Sequence, residues 1–166
     1  MEVEARLNGA GKIRDWKYDL WSDTHGARPG GNAENLLDAR YLEKPFLGKS
    51  SGFSGGGSRN AEPYYNIPNQ RVEAHFFRGP LRVSSLRSLG AYANIFAIES
   101  FMDELAERAA KDPYEFRLLH LQDERAMEVI RKLQSITKGQ ERPHTGMGMA
   151  FSRYKNSGTY CAVAAR

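Results

Sequence analysis

Ala91-Tyr92-Ala93-Asn94-Ile95-Phe96-Ala97-Ile98-Glu99-Ser100-Phe101-Met102-Asp103-Glu104-Leu105-Ala106-Glu107-Arg108-Ala109-Ala110 is the stretch on which the fold turns. Ile95, Ile98, Met102, Leu105 and Ala109 recur at three- and four-residue steps, which puts them on one stripe of a long helix. Ser88 stands where a capping hydroxyl is expected. Downstream, Asp112-Pro113-Tyr114-Glu115 places an aspartate at the cap, proline at the first helical position and glutamate at the third, so a short helix to about Leu121 follows. Asp123 caps a third helix with Ala126, Val129, Ile130 and Leu133 on one side, and Lys138-Gly139 is a helix-stop signal.

Outward from these helices the periodicity changes to two. Val3, Ala5 and Leu7 alternate with charged residues, as do Trp16, Tyr18 and Leu20. Asn8-Gly9-Ala10-Gly11 joins the two runs, which predicts a hairpin over 1–8 and 12–21. Trp16, Tyr18 and Trp21 are read as core. A helical patch is expected near Glu34–Tyr41, and a third strand over 71–77, ended by Pro80. Two more strands, about 146–154 and 158–165, are joined by Lys155-Asn156-Ser157-Gly158. The expected class is α+β: a mixed β-sheet with helices packed on one face, and terminal β-hairpins flanking a three-helix segment. The glycine- and serine-rich residues 48–60 read as a flexible loop. Strand pattern at both ends reads as residues 1–166 being a single partial domain, an internal piece of something longer. An exposed terminal strand also offers an edge for dimerisation.

Composition bounds the function. The chain has 166 residues, 24 basic and 20 acidic, for a net charge of +4, with basic residues scattered among acidic ones. Nucleic-acid binding, which gathers Lys and Arg on one face, is not expected. No apolar run reaches the length of a membrane-spanning helix. The lone Cys161 forms no internal disulfide, and His25, His75, His120 and His144 show no metal-ligand spacing, so no protein-ligated metal and no catalytic residue is assigned. No serine stands in a nucleophile elbow. His75 is expected on the polar side of its strand. His120 is expected to end a helix, where a positive charge suits the dipole.

Two segments have an anion-binding reading. Gly55-Gly56-Gly57-Ser58-Arg59-Asn60 offers backbone amides, but it matches neither the P-loop nor the dinucleotide fingerprint, and the loop reading is preferred. Residues 79–94 place Arg82 and Arg87, with Ser84, Ser85 and Ser88, just before the long helix, whose first amides carry partial positive charge. There an anion site and a plain capped helix with surface arginines stay open.

The stretch Leu86-Arg87-Ser88-Leu89-Gly90-Ala91-Tyr92 with Ala97-Ile98-Glu99-Ser100-Phe101-Met102-Asp103-Glu104-Leu105-Ala106 and Asp112-Pro113-Tyr114-Glu115-Phe116-Arg117-Leu118 resembles the xanthine dehydrogenase/aldehyde oxidase family. Within it, the bacterial isoquinoline 1-oxidoreductase and nicotinate dehydrogenase type of large subunit is most similar. Trp21-Ser22-Asp23-Thr24-His25 with Arg28-Pro29-Gly30-Gly31, then Gly56 to Asn60, then Phe151-Ser152-Arg153-Tyr154-Lys155-Asn156 with Tyr160-Cys161-Ala162-Val163, agree in order along nearly the whole chain.

The resemblance implies a molybdopterin cofactor, in many members the cytosine dinucleotide form. It implies hydroxylation of a carbon beside a ring nitrogen, or of an aldehyde, with oxygen from water, and an iron–sulfur small subunit as electron-accepting partner. Molybdenum is then held by the pterin's dithiolene. The glutamate base and the glycine-rich cofactor loop of such large chains belong to segments outside this one. One element falls inside it: an arginine just before a helix, beside the molybdenum. Leu86, Arg87 and Ser88 take that position and are the expected cofactor-binding residues. Relatives carry aromatic residues where Leu86 and Leu89 stand, so what the resemblance carries over is the backbone role of the segment. The resulting expectation is a fragment of a molybdenum hydroxylase large subunit that is inactive alone. The alternative is a small autonomous anion- or nucleotide-binding module without catalysis.

Overall fold

The computed structural model describes residues 1–25, 33, 36–45, 56–77, 79–81, 83–140 and 142–166. Strands β1 (Glu2–Leu7) and β2 (Ile13–Ser22) form the expected antiparallel hairpin. Its turn is made by Asn8, whose Oδ1 accepts from the amides of Ala10 and Lys12, and by Gly11, which takes a left-handed φ of 72°. Strand β3 (Asn69–Phe76) adds to the other side of β2 in parallel, so the sheet is mixed, with order β1-β2-β3.

Three helices follow: α1 (Ala91–Arg108), α2 (Pro113–Leu119) and α3 (Glu124–Thr137). The closing hairpin, β4 (Gly148–Arg153) with β5 (Tyr160–Ala165), is a separate two-stranded sheet. The α+β class holds, with the strands divided between two sheets. Leu37–Tyr41, inside the expected helical patch, is a 3-10 turn. The expected loop 48–60 lies outside the described residues up to 55. Its described end, 56–60, is a hydrogen-bonded turn with Asn60 buried.

The core explains the order. Trp16, Tyr18 and Leu20 of β2 bury one sheet face against Ile98, Met102 and Leu105 of α1, and Trp16 meets Phe101 edge-on at 5.6 Å. Each such side chain contributes about 1.5–3 kcal/mol by leaving water. Phe116, Ile130, Met149 and Phe151 extend the same cluster to α2, α3 and β4. The caps at Asp112 and Asp123 are as expected: each carboxylate accepts the amides two and three residues on. Gly139, at φ 75°, follows the exit of α3.

Three expectations are corrected. Trp21 is 45% exposed, because position 21 is out of phase with 16, 18 and 20; it stacks on His75 at 4.9 Å instead of joining the core. Ser88 does not cap α1. The cap position is Gly90, with no side-chain bond, and Ser88 accepts the Ala91 amide through its backbone carbonyl. His120 does close α2, but as a buried neutral ring: its Nδ1 bonds the Phe116 carbonyl at 2.7 Å and its Nε2 accepts the Ile13 amide at 2.9 Å. Burial holds its pKa below the usual histidine range, so it adds no positive charge to the helix end.

No helix among the described residues is long and apolar enough to cross a membrane.

Candidate functional site

The two segments with an anion-binding reading in the sequence meet in space. Gly90, at the start of α1, lies so close to the Gly57 carbonyl that any β-carbon there would overlap it, and its amide donates to the Gly56 carbonyl at 3.1 Å. One turn later, Asn94 is fully buried. Its Nδ2 donates to the carbonyls of Gly57 and Arg59 at 3.0 and 2.9 Å, and its Oδ1 accepts the Tyr18 hydroxyl at 2.9 Å. The 56–60 turn is thus fastened to both the first sheet and the long helix.

On the solvent side of this junction lies a cavity of about 520 Å³. Leu20, Trp21, His25, Leu86, Arg87, Leu89 and Tyr92 line it with Gly57 and Gly90, so the walls are mostly apolar. The chain enters α1 through a strained turn: Ser88 and Leu89 both have left-handed backbones, at φ 70° and 55°. Non-glycine residues rarely adopt this conformation, and they cluster at functional sites when they do. Arg87 is exposed at the cavity and has no hydrogen-bond or ionic partner among the described residues. His25 has a buried Nδ1 without a partner among the described residues, while its Nε2 lies 3.4 Å from the Ser22 hydroxyl.

Of the expected cofactor-binding residues, Leu86 and Arg87 line the cavity; Ser88 is not among its lining residues and instead supplies the first strained position. Arg82 lies outside the described residues. His25 and Trp21 were not predicted for the cavity. Nothing in their own spacing marks them, since the end of β2 reaches Leu89 and Gly90 only through tertiary packing.

Elsewhere, Asp19, Glu73 and His75 converge across β2 and β3 with ligand atoms within 4.8 Å of one another. No sequence spacing reveals this, because the register of the β2–β3 pair creates it. The group is already neutralised. His75 Nε2 is 2.9 Å from Asp19, Lys17 and Arg71 each lie 3.3 Å from Asp19, and Arg71 also pairs with Glu73. It is a charge ladder on the outer sheet face, in which Lys17 and Arg71 already pair with the carboxylates.

The chain is 30% identical over 170 residues to one of the subunits of nicotinate dehydrogenase from Pseudomonas putida, covering 95% of this chain and 13% of that protein. It is 31% identical over 99 residues to the beta subunit of isoquinoline 1-oxidoreductase from Brevundimonas diminuta, covering 56% of this chain and 13% of the other. Its fold matches part of the aldehyde oxidoreductase of Desulfovibrio gigas with a TM-score of 0.57 at 22% identity, over 90% of this chain and 17% of that one. No family model matches the chain. The chain matches a fragment of the xanthine dehydrogenase/aldehyde oxidase family. Within it, the similarity is to a segment of the large subunits of the nicotinate dehydrogenase and isoquinoline 1-oxidoreductase type, and the chain spans 13% of the length of each of these two relatives.

Proposed function

We propose that this chain supplies one wall of the molybdopterin site in a molybdenum hydroxylase large subunit, through Leu86, Arg87 and Ser88. The observation that carries the reading is the strained entry into α1. An arginine with no partner among the described residues and two left-handed residues stand at the mouth of an apolar cavity. The residues present fit such a group. Arg87 offers a forked cationic donor to its phosphate or pterin edge, the buried Nδ1 of His25, without a partner among the described residues, offers a further polar contact, and Leu86, Leu89 and Trp21 give the wall an apolar surface. When bound, the molybdenum–pterin group supplies oxygen transfer from water and takes up the electrons. In the parent enzyme that chemistry acts on N-heterocycles or aldehydes, and an iron–sulfur small subunit carries the electrons away. The cytosine dinucleotide form of the cofactor belongs to the same reading.

The isolated chain is expected to be inactive and free of cofactor. The cavity is open to solvent, and a site lacking its other walls loses the preorganisation that gives affinity.

The test is Arg87→Ala in the full-length subunit, co-expressed with its small subunit. Molybdenum and pterin per protein, and turnover, should both fall, by about tenfold or more if one charge-assisted contact is lost. Unchanged cofactor content and turnover would remove Arg87 from the site.

A further inference from the structure

The run Gly56 to Asn60 is only partly used by the cavity at Leu86 and Arg87. Gly57 lines that cavity, whereas Gly56, Ser58 and Arg59 line a second groove of about 470 Å³, which Lys155 and Asn156 close from the β4–β5 turn. We propose that this second groove is an anion-binding site for a phosphate-type group.

The two facing turns are fixed to each other by Asn60. Its Nδ2 donates to the Arg153 carbonyl and to Asn156 Oδ1, both at 2.9 Å, and its Oδ1 accepts the Lys155 amide at 2.8 Å. Asn60, Lys155 and Asn156 all take left-handed backbones, at φ 59°, 55° and 54°. This framework holds two cations on one aromatic ring. The Arg59 guanidinium lies 5.5 Å and the Lys155 ammonium 5.7 Å from the Tyr154 ring centre, and Arg59 also donates to the Tyr154 hydroxyl at 2.7 Å. Neither cation has a salt-bridge partner among the described residues. Glu62 also lines the groove; its backbone carbonyl accepts from Asn156 Nδ2 at 3.1 Å, and its carboxylate makes no salt bridge to Arg59 or Lys155 among the described residues.

Two like charges that have no ion-pair partner among the described residues repel each other. An anion between them removes that cost and gains charge-assisted hydrogen bonds. The Ser58 hydroxyl, which also lines the groove, adds a neutral donor.

The experiment is calorimetric titration of the 166-residue chain with inorganic phosphate, inorganic diphosphate and adenosine diphosphate, with amide shifts of Ser58 and Asn156 followed in parallel. Saturable binding of inorganic phosphate or diphosphate is expected. Lys155→Gln should weaken it by about tenfold, and Lys155→Arg should retain it. Tighter binding of adenosine diphosphate than of inorganic diphosphate would identify the natural source as a nucleotide; equal binding would identify a free phosphate-type anion. The proposal is overturned by the absence of saturable binding, or by a Lys155→Gln chain that keeps its circular dichroism spectrum and binds as the parent does.

Discussion

Asp123 shows how much one side chain can organise. Its Oδ1 caps α3, and its Oδ2 accepts the hydroxyls of Tyr160 and Tyr64, both at 2.6 Å. Arg153 donates to the Tyr64 hydroxyl and lies over the Tyr160 ring. The bonds from Tyr160 and Tyr64 hold the Asp123 carboxyl down at about 2, and the same bond pushes the Tyr160 hydroxyl up to about 12. A depressed carboxyl pKa stabilises the fold above the unfolded value of about 3.9 and loses that contribution as pH falls toward the folded one. Acid unfolding followed by circular dichroism should therefore steepen between about pH 4 and pH 2, and Asp123→Asn should flatten that limb. An identical acid limb in the variant would count against the network. The cap was legible in the sequence as an aspartate before a helical stripe. The two tyrosines on its other oxygen were not, since Tyr64 lies in a loop and Tyr160 on a strand, and no local rule joins them to position 123.

At the scale of elements, the helices and strands were readable because period and capping are local properties. What periodicity missed was polar. The buried face of α1 includes Asn94 and Glu99 among its apolar residues, and both are satisfied only by partners far away in the chain. The same holds for Gly90, which reads as an ordinary glycine before a helix and is in fact the contact point with Gly57. Gly90→Ala should overpack this junction and destabilise the chain by about 1–3 kcal/mol. Gly148→Ala, whose β-carbon would meet open space, should be nearly neutral. Urea midpoints of the two variants check this, and equal midpoints would mean that the 56–60 turn yields without cost. The candidate site was half legible for the same reason. Arg87 stands before a readable helix start and Leu86 enters only through the family resemblance, whereas Trp21 and His25 reach the cavity through tertiary packing.

Across the whole molecule, Arg117 ties the layers together. It is fully buried, and its guanidinium donates to Glu99 at 2.9 Å, to Asp103 at 2.6 Å, and to the carbonyls of Glu99, Pro113 and Met149. Glu99 in turn accepts the Tyr65 hydroxyl and the Phe151 amide, both at 2.8 Å. The network joins α1, α2, β4 and the loop before β3. Burial raises the Glu99 carboxyl pKa, and the Arg117 charge pulls against that rise. Arg117→Ala would leave a buried carboxylate unpaired and should cost about 3–5 kcal/mol, whereas Glu99→Gln with Arg117→Met should cost less than the single change. Tryptophan fluorescence, which reports the first sheet, and far-ultraviolet dichroism, dominated by the helices, should lose signal together in the single variant. Separate transitions would show that the network does not couple the layers.

The parallel pairing of β2 with β3, and the dependence of Tyr18 on Asn94, also set a timetable. The β1–β2 hairpin is complete once Ser22 has been made, yet its neighbour in the sheet ends at Phe76 and its cover runs from Ala91 to Arg108. During synthesis at about 5–20 residues per second, Trp16, Tyr18 and Leu20 must wait several seconds with their apolar face in water. Through that interval the nascent hairpin is a sticky surface on the ribosome, and a chaperone that holds short aromatic segments has its natural moment there.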